Sequence, residues 1–349
     1  MKILYINFVQ NVWGHKRLDS LLIEYLSTFA EVTVVSPENW YQDLPKNVNI
    51  VNYDPSKLNA INSSRKYHYY SFKLMNFASM LDKIENFDYI IAATFNTINF
   101  AISPFLFKNP KRIYIIHHNN TDQLTNKKAH YFFSSYAKKV NHIVFNEFIG
   151  SFLKEKYKIN NIVVLPHPLY KNDVITKSRD TLYTCVGLSN SNDEDVIKQI
   201  IYKEKDEKVF QTEKINVVLR SKESCFNNGY LNVINGYLKT TEYDFYINNS
   251  YSIFLPFPKS FRYRMSGTLM DALSNRKIVL GTNIPLLQNY SKRYPKICYI
   301  VKDIDDFIEK LQQIQNINYY DLINEFERFE QDHSPVKIIN ILKEKLKKS

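Results

Sequence analysis

Thirty residues, Ser252 to Gly281 (SIFLPFPKSFRYRMSGTLMDALSNRKIVLG), bring together the groups best suited to hold a phosphorylated ligand. An apolar run, Ser252 to Leu255, is stopped by Pro256 and Pro258. The segment after it carries Lys259, Arg262 and Arg264, with Tyr263 between the arginines. Ser266 and Gly267 stand where a helix would begin, and Thr268 follows. Leu269, Met270, Ala272 and Leu273 then recur at helical spacing. A helix N-terminus offers unbonded N–H groups and partial positive charge, which attract phosphate. Arginines add charge-assisted, often bidentate, bonds. The pattern predicts strand, loop, helix and strand, with a pyrophosphate-binding corner at the loop. An ordinary capped helix beside solvated arginines would explain the same letters. Two prolines, three cations and Ser-Gly at one strand exit favour the binding corner.

A second cluster follows the apolar strand Arg112 to Ile116: His117, His118, Asn119 and Asn120. The carboxyl end of a buried parallel strand is where such folds place ligands. Adjacent residues on a strand point to opposite sides, so at most one of the two histidines is expected to face a cleft.

Alternating strands and helices are needed to position both clusters. Lys2 to Phe8, a loop with Gly14 and His15, a helix over Leu18 to Phe29 and the strand Glu31 to Ser36 form a βαβ opening. Strands are expected at Val48 to Tyr53, Asp88 to Thr94, His142 to Asn146 and Ile162 to Leu165. Helices are expected at Asn62 to Ile84 and Lys127 to Val140, both basic and aromatic, and at Gly150 to Tyr157. The polar stretch 171–180 has no periodicity and reads as a linker. The second half restarts at Thr181 to Gly187. Strands at Ile215 to Leu219 and Leu231 to Ile234 follow, then a short helix over Tyr243 to Asn248. The expected division is 1–170, a linker at 171–180, 181–317, and C-terminal helices at 318–349.

Composition narrows the classes. At 349 residues and 44% hydrophobic content, two domains with their own cores are expected. Only 7 glycines are present, and neither GxGxxG nor a Walker motif occurs, so a glycine-cradled phosphate loop is not expected. Cys185, Cys225 and Cys298 are scattered, which fits a reducing compartment rather than a zinc site or disulfide scaffold. Met1 to Val9 reads as a first strand, not a signal peptide, and no apolar run is long enough to span a bilayer. A cytoplasmic protein is expected. The net charge of +11 leans to the first half, where 19 Lys and Arg face 12 Asp and Glu up to residue 170. That excess suits phosphorylated ligands or an anionic membrane. No nucleic-acid motif accompanies it. Asp303-Ile304-Asp305 has the letters of a metal-binding DxD, but it sits at an expected helix start, where capping explains it.

The stretch 232–283, together with EVTVVSP at 31–37, VVLPHPL at 163–169 and VGLSNSND at 186–193, resembles the GT-B glycosyltransferases, most closely glycosyltransferase family 4. The resemblance covers nearly the whole chain. It implies two Rossmann-like parallel-sheet domains facing a cleft, an α/β architecture. It also implies transfer of a sugar from a nucleoside-diphosphate sugar of UDP or GDP type, with retention of configuration; no metal is expected where cations and a helix terminus hold the pyrophosphate. The acceptor would be a glycan or lipid-linked saccharide in bacterial surface polysaccharide synthesis, at the cytoplasmic face of the membrane. Where the family often has two glutamates separated by seven residues, this chain has Tyr263 and Asp271. Asp271 would bond the donor ribose, whereas Tyr263 cannot replace a carboxylate facing the sugar. VGLSNSND lacks the family's cations, so Arg220 would supply one charge to the pyrophosphate and Arg262 or Arg264 others, with the N–H groups of Ser266 and Gly267; Thr268 belongs to the same donor-binding set. Asn235, Gly236 and Tyr237 would lie near the base. The acceptor would meet Gly14, His15 and Asn119, with His117 or His118 orienting or deprotonating its hydroxyl. The missing first acid keeps a non-catalytic partner open as an alternative, beside an epimerase or phosphorylase on the same scaffold.

Overall fold

The computed structural model describes residues 1–8, 15–41, 43–53, 64–170 and 181–347. Gly14 and the stretch 171–180 lie outside them. The chain divides into two compact units. Unit 1 comprises Met1–Pro168, Tyr263–Met265 and His333–Ser349, and unit 2 comprises Leu169–Arg262 and Ser266–Asp332.

In unit 1 the strands are β1 (Lys2–Asn7), β2 (Glu31–Ser36), β3 (Asn49–Asn52), β4 (Tyr89–Thr94), β5 (Ile113–Ile116), β6 (Asn141–Val144) and β7 (Ile162–Val164). They form one parallel sheet in the order β3-β2-β1-β4-β5-β6-β7. Around them run α1 (Lys16–Ser27), α2 (Ser64–Glu85), α3 (Ser103–Leu106), α4 (Asn120–Gln123), α5 (Lys127–Tyr136) and α6 (Glu147–Tyr157). Strands buried on both faces read as continuous apolar runs, as YIIAAT in β4 and IYII in β5 do. The order reverses between β1 and β4, which makes their carboxyl ends the switch point of this sheet.

Unit 2 repeats the plan. Its strands are β8 (Tyr183–Gly187), β9 (Val217–Ser221), β10 (Phe226–Asn227), β11 (Leu231–Asn235), β12 (Ser250–Leu255), β13 (Ile278–Thr282) and β14 (Cys298–Val301), ordered β10-β11-β9-β8-β12-β13-β14. The helices are α7 (Glu194–Glu207), α8 (Val209–Thr212), α9 (Thr240–Asn248), α10 (Gly267–Ser274), α11 (Pro285–Arg293), α12 (Ile304–Gln315) and α13 (Tyr320–Asp332). The final helix, α14 (Pro335–Lys347), belongs to unit 1. Among the described residues of unit 2 only β10 runs antiparallel, as a short edge hairpin with β11. The switch point falls between β8 and β12. Gly187 ends β8 there because a Cβ would stand 2.8 Å from Leu219 Cδ2 and 3.2 Å from the Phe254 carbonyl.

Several bounds differ from the sequence reading. The strand expected at Ile215 begins at Val217 and continues through Arg220 to Ser221, so Arg220 is a strand residue and not part of a loop. The basic helix begun at Lys127 stops at Tyr136. The short helix before β12 begins at Thr240, three residues early, because Glu242 returns its carboxylate to the Lys239 N–H at 2.8 Å. Pro335 cannot continue α13 but suits a helix start, so the chain breaks at His333–Ser334. α14 then buries Ile338, Leu342 and Leu346 and packs on α1.

Lys277, at the entry to β13, is buried. Its ammonium donates to the Asn248 carbonyl at 3.0 Å and the Ser250 carbonyl at 2.7 Å, closing the end of α9. Burial lowers its pKa from 10.5 to about 8. The unfolded chain therefore binds the extra proton between about pH 8 and pH 10.5, and stability rises with pH across that window. We expect denaturant unfolding at pH 7.5 and pH 10 to show a gain of about 2 kcal/mol that the Lys277→Met variant lacks. An identical pH response in the variant would refute this assignment.

Candidate functional site

Arg220 defines the site in unit 2. It stands near the exit of β9, one strand from the switch point, and only 2% of it is exposed. Its Nε donates to the Gly236 carbonyl at 2.6 Å and its Nη1 to the Ser189 carbonyl at 3.3 Å. Nη2 is buried with no hydrogen-bond partner. Among the described residues no carboxylate lies within ion-pair distance of the guanidinium. A buried cation hydrogen-bonded to carbonyls and not to a carboxylate is costly, and its pKa is pushed down by burial. Tyr237, 73% exposed, lies with its ring 4.7 Å from the guanidinium carbon. The group therefore has a π-face on one side and an unused N–H edge.

The surrounding exits are tied together around it. Asn192 donates to the Gly187 and Arg220 carbonyls, at 2.9 Å each. The Asp193 N–H reaches the Pro256 carbonyl at 2.6 Å. Glu194 accepts from the Ser221 hydroxyl and, at 2.9 Å, from the Lys222 N–H. Gly236 turns at φ +97, a conformation that favours glycine, with its N–H on the Ser221 carbonyl at 3.0 Å. That turn directs its own carbonyl at Arg220. Asn235 ends β11 with its side chain exposed. The sequence SNSND and the Gly after a strand carried this signal, but the roles of Ser189, Asn192 and Glu194 escaped the sequence reading.

The start of α10 forms as its letters predict. Ser266 is the N-cap and its hydroxyl accepts from the Leu269 N–H at 3.2 Å. Gly267 is exposed, with open space where a Cβ would be. The first N–H groups of a helix have no intrahelical partner. Farther along α10, Asp271 accepts from the Tyr243 hydroxyl of α9 at 2.9 Å. Burial, followed by the Asp271 charge, holds Tyr243 far above an ordinary phenol pKa, so it remains a donor. Nothing in the spacing of the sequence linked Tyr243 to Asp271. Arg262 is exposed and its Nε donates to the Lys259 carbonyl at 3.0 Å.

Tyr263 and Arg264 are placed differently from the pyrophosphate corner expected for them. Both belong to unit 1. The Tyr263 N–H donates to Asp122 Oδ1 at 2.6 Å, and its carbonyl accepts from the Thr121 hydroxyl. Its ring stacks on Phe152 at 3.8 Å. Arg264 Nε lies 3.1 Å from Asp122 Oδ2. Its charge is thus already matched by a carboxylate, unlike that of Arg220.

The histidines after β5 do point opposite ways. His117 turns into the hydrophobic core, edge-on to Phe95 and Phe133 and 1% exposed. Its Nε2 meets His142 Nδ1 at 2.8 Å, and His142 Nε2 meets the Ala137 carbonyl at 2.7 Å. The carbonyl fixes His142 as the Nε2–H tautomer, so His117 donates to it. Burial holds both neutral: it lowers the His142 pKa to about 4, and burial first, then the neighbouring His142, holds His117 well below the ordinary imidazole range. This corrects the acceptor-facing role expected for His117, because its ring is enclosed. His118 takes the other side. Its Nε2 donates to the Ala93 carbonyl at 2.9 Å, which leaves Nδ1 as the accepting side of the ring. The His15 ring stacks on it at 3.7 Å. Burial, then the charge of His15, keeps His118 neutral. Asn119 precedes α4 and is exposed.

At the nearby switch point of unit 1, buried Asp19 accepts from Tyr5 at 2.8 Å, Asn7 at 3.0 Å and Tyr41 at 3.3 Å. Thr94 of β4 closes the network onto Asn7 at 2.9 Å. Burial raises the Asp19 pKa to about 6. These residues were not singled out from the sequence, because they are spread over 90 positions and only the fold gathers them.

Asp303 caps α12, accepting from the Asp306 N–H at 2.9 Å, and Asp305 pairs with Lys203 at 2.9 Å. Among the described residues no helix is long and apolar enough to cross a membrane.

No family model matches the chain, and no curated protein matches its sequence. Its fold is widely shared among solved structures. A glycosyltransferase from Rickettsia africae superposes with TM-score 0.64 at 12% identity, covering 99% of this chain and 98% of that one. A structure described as trehalose-6-phosphate from E. coli bound with UDP-2-fluoro glucose gives 0.66 at 10% identity, over 100% and 99%. UDP-N-acetylglucosamine 2-epimerase from Rickettsia bellii gives 0.56 at 11% identity, over 100% and 97%. At such identities the likeness is one of fold.

Proposed function

We propose that this chain is a glycosyltransferase that takes a nucleoside-diphosphate sugar at the carboxyl edge of the unit 2 sheet. The observation that carries this reading is Arg220: a buried cation with an unused N–H edge, no carboxylate partner among the described residues, and an exposed aromatic ring against it. A diphosphate supplies the missing counter-charge. The free N–H groups of Gly267 and Thr268 add donors from α10. Asp271, oriented by Tyr243, takes the ribose hydroxyls, and Asn235, Gly236 and Tyr237 border the base.

In the reaction the bond between the anomeric carbon and the diphosphate oxygen breaks, and a glycosidic bond forms to the acceptor oxygen. Negative charge gathers on the leaving diphosphate, where Arg220 and the α10 N–H groups stabilise it. The acceptor proton passes to the departing phosphate in a retaining transfer, the course the family resemblance implies, and the cation and helix terminus hold the diphosphate without a metal. His118, neutral and with Nδ1 as its accepting side, orients the acceptor hydroxyl together with His15 and Asn119. The donor is of UDP or GDP type, and the acceptor is a glycan or lipid-linked saccharide of bacterial surface polysaccharide synthesis. Incubation with UDP- and GDP-sugars, with and without glycan acceptors, tests the reading. Acceptor-dependent release of nucleoside diphosphate is expected. A donor that binds and is never turned over would instead favour a non-catalytic partner, the alternative that Tyr263 at the first acidic position supports.

The lipid-linked acceptor places the protein at the cytoplasmic face of the membrane in this reading. One face of α2 exposes Tyr69, Phe72, Met80 and Ile84 at helical spacing, and Lys73 lies 4.6 Å over the Tyr69 ring. Such a face suits an anionic interface. The double substitution Tyr69→Ser and Phe72→Ser is expected to weaken binding to phosphatidylglycerol vesicles about tenfold in a flotation assay. Equal flotation of variant and wild type would remove the membrane from the account.

A further inference from the structure

The edge of the unit 1 sheet opposite His117 and His118 carries a hollow of about 690 Å³, within the size range of small-molecule sites. It lies at the amino-terminal ends of β4, β5 and β6. Four cations line it (Lys111, Arg112, Lys138 and Lys139) against one carboxylate, Asp88. The Asp88 carboxylate accepts the Lys2 N–H at 2.7 Å. Arg112 is offset by Asp82 at 2.9 Å and is anchored on the Phe87 carbonyl. The three lysines have no carboxylate within ion-pair distance among the described residues.

These lysines stand on a fixed frame. Asn109 caps the Lys111 turn, accepting its N–H at 3.1 Å, and Asn141 of β6 holds the Lys111 carbonyl at 2.6 Å. The Lys139 N–H closes on the Tyr136 carbonyl at 2.8 Å, and Asn161 holds the Val140 carbonyl. The backbone is thus pinned on both sides, and the three lysines converge with Arg112 on one concavity that holds a single carboxylate, Asp88. Such an arrangement raises the local potential and concentrates multivalent anions. The buried Tyr89 ring, packed edge-on against Tyr114 at 5.7 Å, gives the hollow an apolar wall.

We infer that this hollow is a second ligand site, for a soluble phosphorylated molecule of sugar size, with Lys111, Lys138 and Lys139 as its phosphate contacts. It is independent of the donor site in unit 2. Calorimetric titration with inorganic pyrophosphate at low salt tests it, on wild type, on Lys138→Glu/Lys139→Glu, on Lys111→Gln and on Arg220→Met. The lysines are exposed, so the variants are expected to melt with wild type. Binding at the hollow is expected to weaken at least tenfold in Lys138→Glu/Lys139→Glu, to weaken less in Lys111→Gln, and to persist in Arg220→Met. Unchanged pyrophosphate affinity in the Lys138→Glu/Lys139→Glu variant, or no binding that survives Arg220→Met, would overturn the inference. Failure of the donor reading alone would leave the lysine-dependent binding in place.

Discussion

Arg220→Met is expected to lower kcat/KM for sugar transfer by about 10²- to 10³-fold while leaving the protein folded. Methionine matches the length of the arginine stem but carries no charge and no donors. Two opposing effects act on stability. The Gly236 and Ser189 carbonyls lose their donors, at about 1–3 kcal/mol for each group left buried and unpaired. Against this, a desolvated guanidinium without a counter-ion is removed, and replacing buried charge by apolar side chains is often neutral or stabilising. We therefore expect a melting temperature close to that of wild type without ligand. The donor-induced rise in melting temperature should vanish. Arg220→Lys keeps the charge but not the fork that spans two strand exits, so its loss should be about tenfold. A purely structural arginine would give the reverse: a large drop in melting temperature and an unchanged KM for donor.

The second large effect is expected at Asp271. If its carboxylate binds the ribose, Asp271→Asn removes a charge-assisted hydrogen bond of about 1.5–3 kcal/mol, a tenfold to hundredfold rise in donor KM. That contact forms equally with bound donor and transition state, so kcat should change little. The Tyr243 hydroxyl fixes one carboxylate oxygen at 2.9 Å, and Tyr243→Phe should raise KM in the same direction by a smaller factor. A deoxyribose donor discriminates the mechanism. Its KM should already be high on wild type and should respond little to Asp271→Asn. If ribose and deoxyribose donors lose equally in Asp271→Asn, the carboxylate does not touch the sugar hydroxyls. The phenol is held far above its usual pKa, so neither effect should vary across neutral pH through Tyr243.

Much of this was legible in local sequence because local sequence causes it. The run YIIAAT is a strand buried on both faces, EVTVVS is a strand buried on both faces from Val34 onward, and Ser266 before GTLMDAL is an N-cap before an amphipathic helix. The βα rhythm then dictates two parallel sheets with the same switch-point order. Contacts made across long separations were not legible. Tyr263 lies 141 residues from the Asp122 carboxylate that captures it, so RYR looked like a free cationic loop although Arg264 is charge-paired. Arg220 looked like one cation among several. Its importance comes from depth and from the absence of an acid within reach among the described residues, neither of which a sequence prints. Strand alternation predicted that His117 and His118 diverge. It could not say that His142, 25 residues away on β6, would draw His117 into the core.

The most direct test is calorimetric titration of UDP and GDP into wild-type protein and Arg220→Met, each in the Lys138→Glu/Lys139→Glu background so that the second anion site is silent. The account predicts saturable, one-to-one binding of one of the two nucleotides, weakened at least tenfold by Arg220→Met. At 100 times its dissociation constant that nucleotide should add about 2.7 kcal/mol of stability. Absence of binding by either nucleotide, or equal binding by the methionine variant, would contradict a donor site at Arg220.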